Sequence, residues 1–147
     1  MSRTSIALTT GVAAIATAVV IATAGSAQGP APTSLHLVDT NQKTVGFGPN
    51  HKPRQGDRFG FGAKVTGDDT GFDRGFCTII GKQALCTVQV QLSKGTLTAQ
   101  GFVPAGRANK VPFAITGGTG AYDAARGTAL VTDVNSTTTD IQVTLQP

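Results

Sequence analysis

The chain lacks glutamate and tryptophan altogether, and aromatic residues make up only 5% of its 147 residues. Without glutamate, any carboxylate chemistry must use the eight aspartates, and a pair of glutamates working as acid and base is excluded. The sequence also has no Ser-His-Asp elbow, no zinc motif and no dinucleotide-binding loop. We therefore expect neither a bound metal nor a cofactor.

Charge is also sparse. Charged residues make up 14% of the chain, the formal net charge is +4, and lysine and arginine are spread evenly along it. A nucleic-acid-binding protein usually concentrates its basic groups in one stripe with aromatic residues between them. The sequence has no such stripe, so we expect no nucleic-acid partner. The basic charge indicates solubility and weak affinity for an anionic cell envelope.

The first 27 residues differ from the rest. Arg3 gives a positive start, residues 6–24 carry no charge, and Gly25, Ser26 and Ala27 form a small-residue exit. This three-part pattern is typical of a secretory signal peptide, cleaved here after Ala27. The alternative, a membrane anchor, fits less well because threonines and a glycine interrupt the apolar run. We predict a secreted protein with a signal peptide at 1–27, a flexible leader at 28–33 and one domain at 34–147, with no membrane anchor after cleavage.

The remaining sequence favours an all-β barrel or sandwich. Short alternating or β-branched runs are separated by Gly, Asn and Asp, and no segment after the signal has a helical apolar period. The 19 glycines supply turns and bulges. The expected strands are 34–39, 58–66, 76–80, 84–92, 96–103, 111–116, 127–132 and 138–145.

One hairpin is predicted with Lys94 and Gly95 as its two-residue loop. This register pairs Leu92 with Leu97 and Val90 with Ala99, which puts the apolar residues on one face.

A second hairpin turns at Gly81-Lys82, where a leading glycine suits a type II′ turn. Cys77 then faces Cys86 at a non-hydrogen-bonded pair, where Cα atoms lie about 4.5 Å apart. These are the only two cysteines, and the chain has an export signal. We predict a disulfide between them, worth about 2–3 kcal/mol, and regard a reactive or metal-binding thiol pair as the weaker alternative.

Four segments in order carry a family resemblance: QGDRFGF at 55–61, GFCTI at 75–79, LTAQG at 97–101 and VPFAITGGTGAYDAARG at 111–127. The last has a glycine-rich turn but neither the spacing nor the helix of a phosphate-binding loop. Together they resemble the allene oxide cyclase and dirigent proteins, and the paired cysteines resemble secreted actinobacterial proteins of that type. The resemblance covers about 35–145 and implies a single antiparallel eight-stranded β-barrel of calycin type.

The resemblance also implies site residues. His36 falls near the position of the first-strand glutamate of the plant cyclases, and Arg126 matches the Ala-Arg-Gly element that lines the dirigent pocket. On this basis we predict His36, Asp57 and Arg126 as catalytic, and Asp39 and Tyr122 as ligand-binding. Each of these residues also has a structural alternative. His36 would be a surface histidine and Arg126 part of an ion pair at the rim. Asp57 would satisfy backbone donors in a turn, and Tyr122 would pack over the barrel mouth. The acidic run 68–73 lacks the spacing of a calcium loop, and we expect it to be a solvated turn.

Two functions remain open at this point. The first is a cofactor-free isomerase or cyclase, or a guide for stereoselective coupling, acting on a hydrophobic small molecule. The second is a non-catalytic extracellular barrel that binds a ligand or associates with the envelope. A cavity lined by His36, Asp57 and Arg126 would favour the first, and a purely apolar lining would favour the second. A jasmonate-type cyclase is not expected because glutamate is absent, and a homotrimer is implied by the resemblance alone.

Overall fold

The computed structural model describes residues 34–46, 52–104 and 110–146. They form eight strands: β1 (Ser34–Val45), β2 (Arg58–Gly67), β3 (Gly71–Ile80), β4 (Gln83–Leu92), β5 (Gly95–Pro104), β6 (Val111–Gly120), β7 (Gly127–Asp133) and β8 (Thr138–Leu145). Each strand pairs antiparallel with its neighbour in the chain, and β8 pairs with β1 to close a barrel. The predicted all-β, eight-stranded antiparallel barrel is confirmed. The predicted signal peptide and leader lie outside the described residues.

The barrel interior is built by the alternation of side chains along the strands. In β6, for example, Val111, Phe113 and Ile115 are buried while Pro112 and Ala114 between them are exposed. Successive side chains of a strand point to opposite faces, so this pattern sends one set into the core and the other to solvent. No helix among the described residues is long and apolar enough to cross a bilayer.

A bulge in β1 changes which side chains face inward. The register with β2 shifts between Thr40 and Lys43, and Asn41 takes a left-handed conformation with φ of 58°. Asparagine tolerates this conformation better than most residues. Because of the extra residue, Gln42 and Thr44 line the interior. Without the bulge, Lys43 and the other residues on its side of the strand would point into the barrel.

The disulfide prediction is confirmed. Ile80 pairs with Gln83 across the Gly81-Lys82 turn, and Cys77 faces Cys86. The two cysteines form a disulfide with their Cα atoms 4.1 Å apart. The bridge joins β3 to β4 on the inner face of the barrel.

The register predicted for the next hairpin is wrong by two residues. Leu92 pairs with Gly95 rather than Leu97, so the turn is Ser93-Lys94 and Gly95 is already the first residue of β5. A shift of two keeps every side chain on its predicted face, so the apolar pattern cannot distinguish the registers. Gly95 packs closely against β6 in this register, since a Cβ at position 95 would lie 2.0 Å from the carbonyl oxygen of Thr119.

The two ends of the barrel differ. At the end named here the open end, β1, β3, β5 and β7 finish and the even-numbered strands begin. At the opposite, closed end, buried side chains that do not border the internal cavity fill the barrel. These are Leu35, Val65, Leu92, Tyr122, Ala125 and Leu145.

Candidate functional site

A cavity of about 240 Å³ occupies the barrel on the side of the open end. It reaches from Thr44, Phe59, Val103 and Asp133 at the strand ends down to Leu97 in the interior. Most of its wall is aliphatic or aromatic. A concave, mainly apolar space with a few polar groups is the usual form of a small-molecule site.

The polar groups of the wall are concentrated on one side. Asp133 of β7 pairs with Thr139 of β8, and Thr139 pairs with Asp39 of β1. Asp73 of β3 follows beyond β2, paired with Ala63. Asp133 is exposed at the mouth, whereas Asp39 and Asp73 are only 4% and 2% exposed. A polar stripe therefore leads from solvent to two buried carboxyl groups.

Asp39 and Asp73 share a hydrogen bond inside this apolar space. Burial first, and the neighbouring Asp73 second, raise the pKa of Asp39 to about 8. Burial also raises the pKa of Asp73, but its carboxylate is partly stabilised by the hydrogen bond from Asp39 and by that from the N–H of Ala63. Two carboxyl groups this close cannot both ionise easily. At neutral pH the pair holds one proton, mainly on Asp39, which donates it to Asp73.

The pair is not fully satisfied by the protein. Oδ1 of Asp39 is buried and has no hydrogen-bond partner among the described residues. A buried polar atom without a partner is costly, and such atoms often mark a site where a ligand or water binds. The arrangement places a proton donor and a proton acceptor side by side. The described residues contain no group of three or more His, Cys, Asp or Glu side chains placed to hold a metal ion.

Tyr122 lies at the closed end and does not border the cavity. It is completely buried, and its hydroxyl donates a hydrogen bond of 3.1 Å to Oδ2 of Asp69. Burial, followed by the contact with Asp69, raises the pKa of Tyr122 to about 12. The position of Tyr122 matches the packing role that sequence analysis gave as the alternative.

Asp69 anchors this closed end. Burial alone would raise the pKa of Asp69. Hydrogen bonds from the Ser93 hydroxyl, the Thr70 N–H and the Tyr122 hydroxyl outweigh this effect, and the pKa of Asp69 is lowered. The Ser93 hydroxyl lies 2.5 Å from Oδ1. The expectation of a solvated acidic run at 68–73 is therefore wrong for Asp69 and Asp73, which are both buried, and holds for the exposed Asp68.

His36 lies on the outer surface of β1. Its Nε2 is 2.5 Å from Oδ1 of Asp140 on β8, and its side chain is largely exposed. The hydrogen bond to Asp140 and the charge of that carboxylate raise the pKa of His36. His36 therefore faces away from the cavity.

The other two predicted catalytic residues are at opposite ends of the barrel. Asp57 precedes β2 at the open end, where its Oδ2 accepts a hydrogen bond of 2.7 Å from the N–H of Arg54. Arg126 precedes β7 at the closed end, and its guanidinium donates to the carbonyl of Ala125 at 2.7 Å. Neither borders the cavity. Of the five predicted site residues, the structure places only Asp39 in the cavity wall.

Sequence analysis missed Asp73, although a signal for it exists. The predicted third strand began at residue 76, so Asp73 was assigned to a turn. Strand β3 begins at Gly71, and Asp73 lies on the same face of the strand as Cys77 because an even number of positions separates them. The disulfide fixes Cys77 on the inner face, and extending the strand by alternation would have placed Asp73 there too.

Comparison with known proteins supports the fold and leaves the family open. No protein-family model and no curated protein matches the chain. Among solved structures, the chain is similar to a pyocyanin demethylase, with 24% identity and a TM-score of 0.63. The match covers 77% of this chain and 99% of that one.

Proposed function

We propose that this protein is an exported barrel that binds a hydrophobic small molecule in its cavity and guides a cofactor-free isomerisation or cyclisation through Asp39 and Asp73. The observation that carries the proposal is the pair of hydrogen-bonded, buried carboxyl groups in the wall of an otherwise apolar cavity. The assignment replaces His36, Asp57 and Arg126 as the catalytic set, because those three side chains do not meet.

An apolar ligand fits the wall. Aromatic side chains Phe59, Phe61 and Phe113 and several aliphatic residues border the space. The volume of about 240 Å³ suits a compact molecule of one to a few rings or a folded chain. Polar parts of such a ligand are limited to the stripe of Asp133, Thr139, Asp39 and Asp73.

The chemistry requires no added redox partner. Asp73, as a carboxylate, takes a proton from a carbon of the ligand, while Asp39, as a carboxylic acid, donates its proton to a ligand heteroatom. The ligand is rearranged and its oxidation state is unchanged. The proton then returns from Asp73 to Asp39 through their shared hydrogen bond, which restores the starting state. A raised pKa makes Asp73 a better base than an ordinary aspartate at neutral pH.

The resemblance to allene oxide cyclases and dirigent proteins supports this reaction class, since those barrels act on small molecules without a cofactor. The similar solved barrel is named for a reaction on another small molecule, pyocyanin. Export is supported by the Cys77–Cys86 disulfide, which is the kind of bond that persists in oxidising compartments. The signal peptide at 1–27 is part of the proposal, and the intact mass of the protein from culture medium tests cleavage after Ala27.

Native mass spectrometry of the purified protein, followed by denaturing extraction, identifies a bound molecule. That molecule is then incubated with wild-type protein and with Asp39→Asn, Asp73→Asn and Asp123→Asn, and products are followed by chromatography. We expect conversion by wild type and by Asp123→Asn, whose lost carboxylate is exposed and remote. Both cavity variants should bind but convert at least about 100-fold more slowly, because general acid–base catalysis contributes on that scale.

The alternative function is a barrel that binds and carries its ligand without changing it. The predominantly apolar wall favours this reading. A ligand that wild type holds and releases unchanged would select it over the catalytic proposal. Protein that stays empty after incubation with lipid and polyketide extracts would contradict both.

A further inference from the structure

Four large apolar side chains are exposed around the mouth of the cavity. Val45 and Ile80 are the last residues of β1 and β3, Phe102 is two residues before the end of β5, and Val134 follows β7. They are 46–66% exposed, and together they are called the apolar rim here. The described residues contain only two other exposed large hydrophobic side chains, Phe72 and Phe76 on β3. With four exposed apolar side chains at this end and two on the rest of the described surface, the open end is the candidate interaction surface.

The charges are distributed unevenly along the barrel axis. Among the described residues in the loops and adjoining strand ends, the open end has five cations against two carboxylates, and the closed end has two cations against three carboxylates. The cations of the open end are Lys52, Arg54, Arg58, Lys82 and Lys110. Of its two carboxylates, Asp57 accepts a hydrogen bond from the Arg54 N–H, and the exposed Asp133 lies 3.5 Å from the Thr139 hydroxyl.

We infer that the open end docks on a lipid bilayer that contains anionic headgroups, with the apolar rim entering the interface. Aliphatic and phenyl side chains gain by burial among acyl chains, and lysine and arginine beside them are attracted to anionic lipid. The charge of this end complements such a surface. Val45, Ile80 and Val134 offer no ring on which a nucleic-acid base could stack, so a membrane fits the composition better than a polynucleotide does.

Docking in this orientation has a consequence for the cavity. The cavity reaches the strand ends on the side of the apolar rim, so docking of the rim brings the cavity toward the bilayer. Hydrophobic small molecules partition into bilayers, and they could pass between bilayer and cavity without crossing water. This consequence rests on the proposed function, whereas docking itself does not.

Single tryptophans test the orientation. The chain contains no tryptophan, so Phe102→Trp places one probe in the apolar rim and Phe72→Trp places one near the closed end. Each variant is mixed with vesicles of equal parts phosphatidylglycerol and phosphatidylcholine, with or without brominated acyl chains. We expect a blue shift and quenching at position 102 and neither effect at position 72. All variants are prepared with the same residues before Ser34, so a difference between the probes reports the barrel.

Two turn lysines provide a matched test of charge. Lys82 lies in the β3–β4 turn at the open end, and Lys94 lies in the β4–β5 turn at the closed end. Lys82→Gln should weaken partitioning into the anionic vesicles about fivefold, while Lys94→Gln leaves it unchanged. Vesicles of pure phosphatidylcholine should bind all variants weakly and equally.

Equal signals from the two tryptophans, or equal effects of the two lysine changes, would overturn the inference. A blue shift at position 102 that grows with protein concentration in the absence of vesicles would also overturn it, by assigning the rim to contact between copies. Neither readout requires a cavity ligand or turnover. Loss of membrane docking is therefore distinguishable from failure of the proposed function.

Discussion

Asp39 affects both the chemistry of the cavity and the stability of the fold. Its inward position on β1 and its contact with Asp73 favour the neutral carboxylic acid, whereas in the unfolded chain it would ionise near the ordinary aspartate pKa of 3.8. A neutral donor fixed beside a carboxylate is useful for proton transfer, and its buried, unpartnered Oδ1 makes the free barrel less stable than an ideally satisfied one. The residue therefore links the chemistry of the cavity to the stability of the fold.

The buried, protonated state of Asp39 predicts that the free energy of unfolding depends on pH. With a folded-state pKa of about 8, Asp39 holds its proton in the native state between about pH 4 and pH 8 and loses it in the unfolded state. The native state binds more protons, so the free energy of unfolding falls as pH rises through that window. Asp39→Asn keeps a neutral donor at all pH values. We compare urea unfolding at pH 5 and pH 8. The free energy of unfolding of the variant, relative to wild type, should be higher at pH 8 than at pH 5 by about 2 kcal/mol or more.

Asp123→Asn is the control for this measurement, because it removes an exposed loop carboxylate. It should follow the pH dependence of wild type. Parallel curves for wild type and Asp39→Asn would contradict the assignment of a buried, protonated Asp39.

At the scale of strands and turns, some glycines are required where neighbouring strands approach closely and others where the backbone turns. Gly95 has φ of 150°, and a Cβ there would collide with Thr119 on β6. Gly81, at the tip of the β3–β4 turn, has φ of 62°, but a Cβ added there would meet nothing within 4 Å. The two glycines are needed for different reasons, one for space and conformation and the other for conformation alone.

Replacing each glycine by alanine separates these reasons. Gly81→Ala should cost about 1–2 kcal/mol, the penalty of a left-handed alanine. Gly95→Ala should cost clearly more, about 3 kcal/mol or above, because the β5–β6 pairing must also move. Urea unfolding of both variants measures the difference, and equal losses would contradict the role given to the Thr119 contact.

The disulfide belongs to the same scale. It closes a loop with a sequence separation of 9 residues between strands already paired by a tight turn. Reduction with dithiothreitol should lower the free energy of unfolding by about 2–3 kcal/mol and leave the β-sheet circular dichroism unchanged. Cys77→Ser/Cys86→Ser, treated with the same reductant, should show no further loss. Unfolding of the reduced barrel without denaturant would contradict this prediction.

At the scale of the whole molecule, the barrel is packed at one end and hollow at the other. The closed end has buried aliphatic residues and the Tyr122–Asp69 hydrogen bond, while the open end leaves room for a ligand. A change inside the cavity can remove binding while the closed end preserves the fold.

A pair of alanines tests this division. Ala129 borders the cavity from β7, and Ala114 is exposed on the outside of β6. Ala129→Phe should fill the cavity and abolish binding of the neutral fluorescent probe N-phenyl-1-naphthylamine, with a cooperative unfolding transition retained. Ala114→Phe should bind the probe like wild type. Probe binding that survives Ala129→Phe would locate the site elsewhere.

The sequence by itself determined the number and order of the strands and the disulfide, because these depend on local alternation and turn chemistry. The Cys77–Cys86 pairing followed from a two-residue turn and parity alone. Only the tertiary structure decided the β4–β5 register, since a shift of two residues preserves the faces and leaves the apolar pattern unchanged. The tertiary structure also determined which residues form the candidate site. Asp39 and Asp73 are on strands separated by β2, and barrel curvature brings their side chains together, whereas His36, Asp57 and Arg126 are kept apart by face and by end.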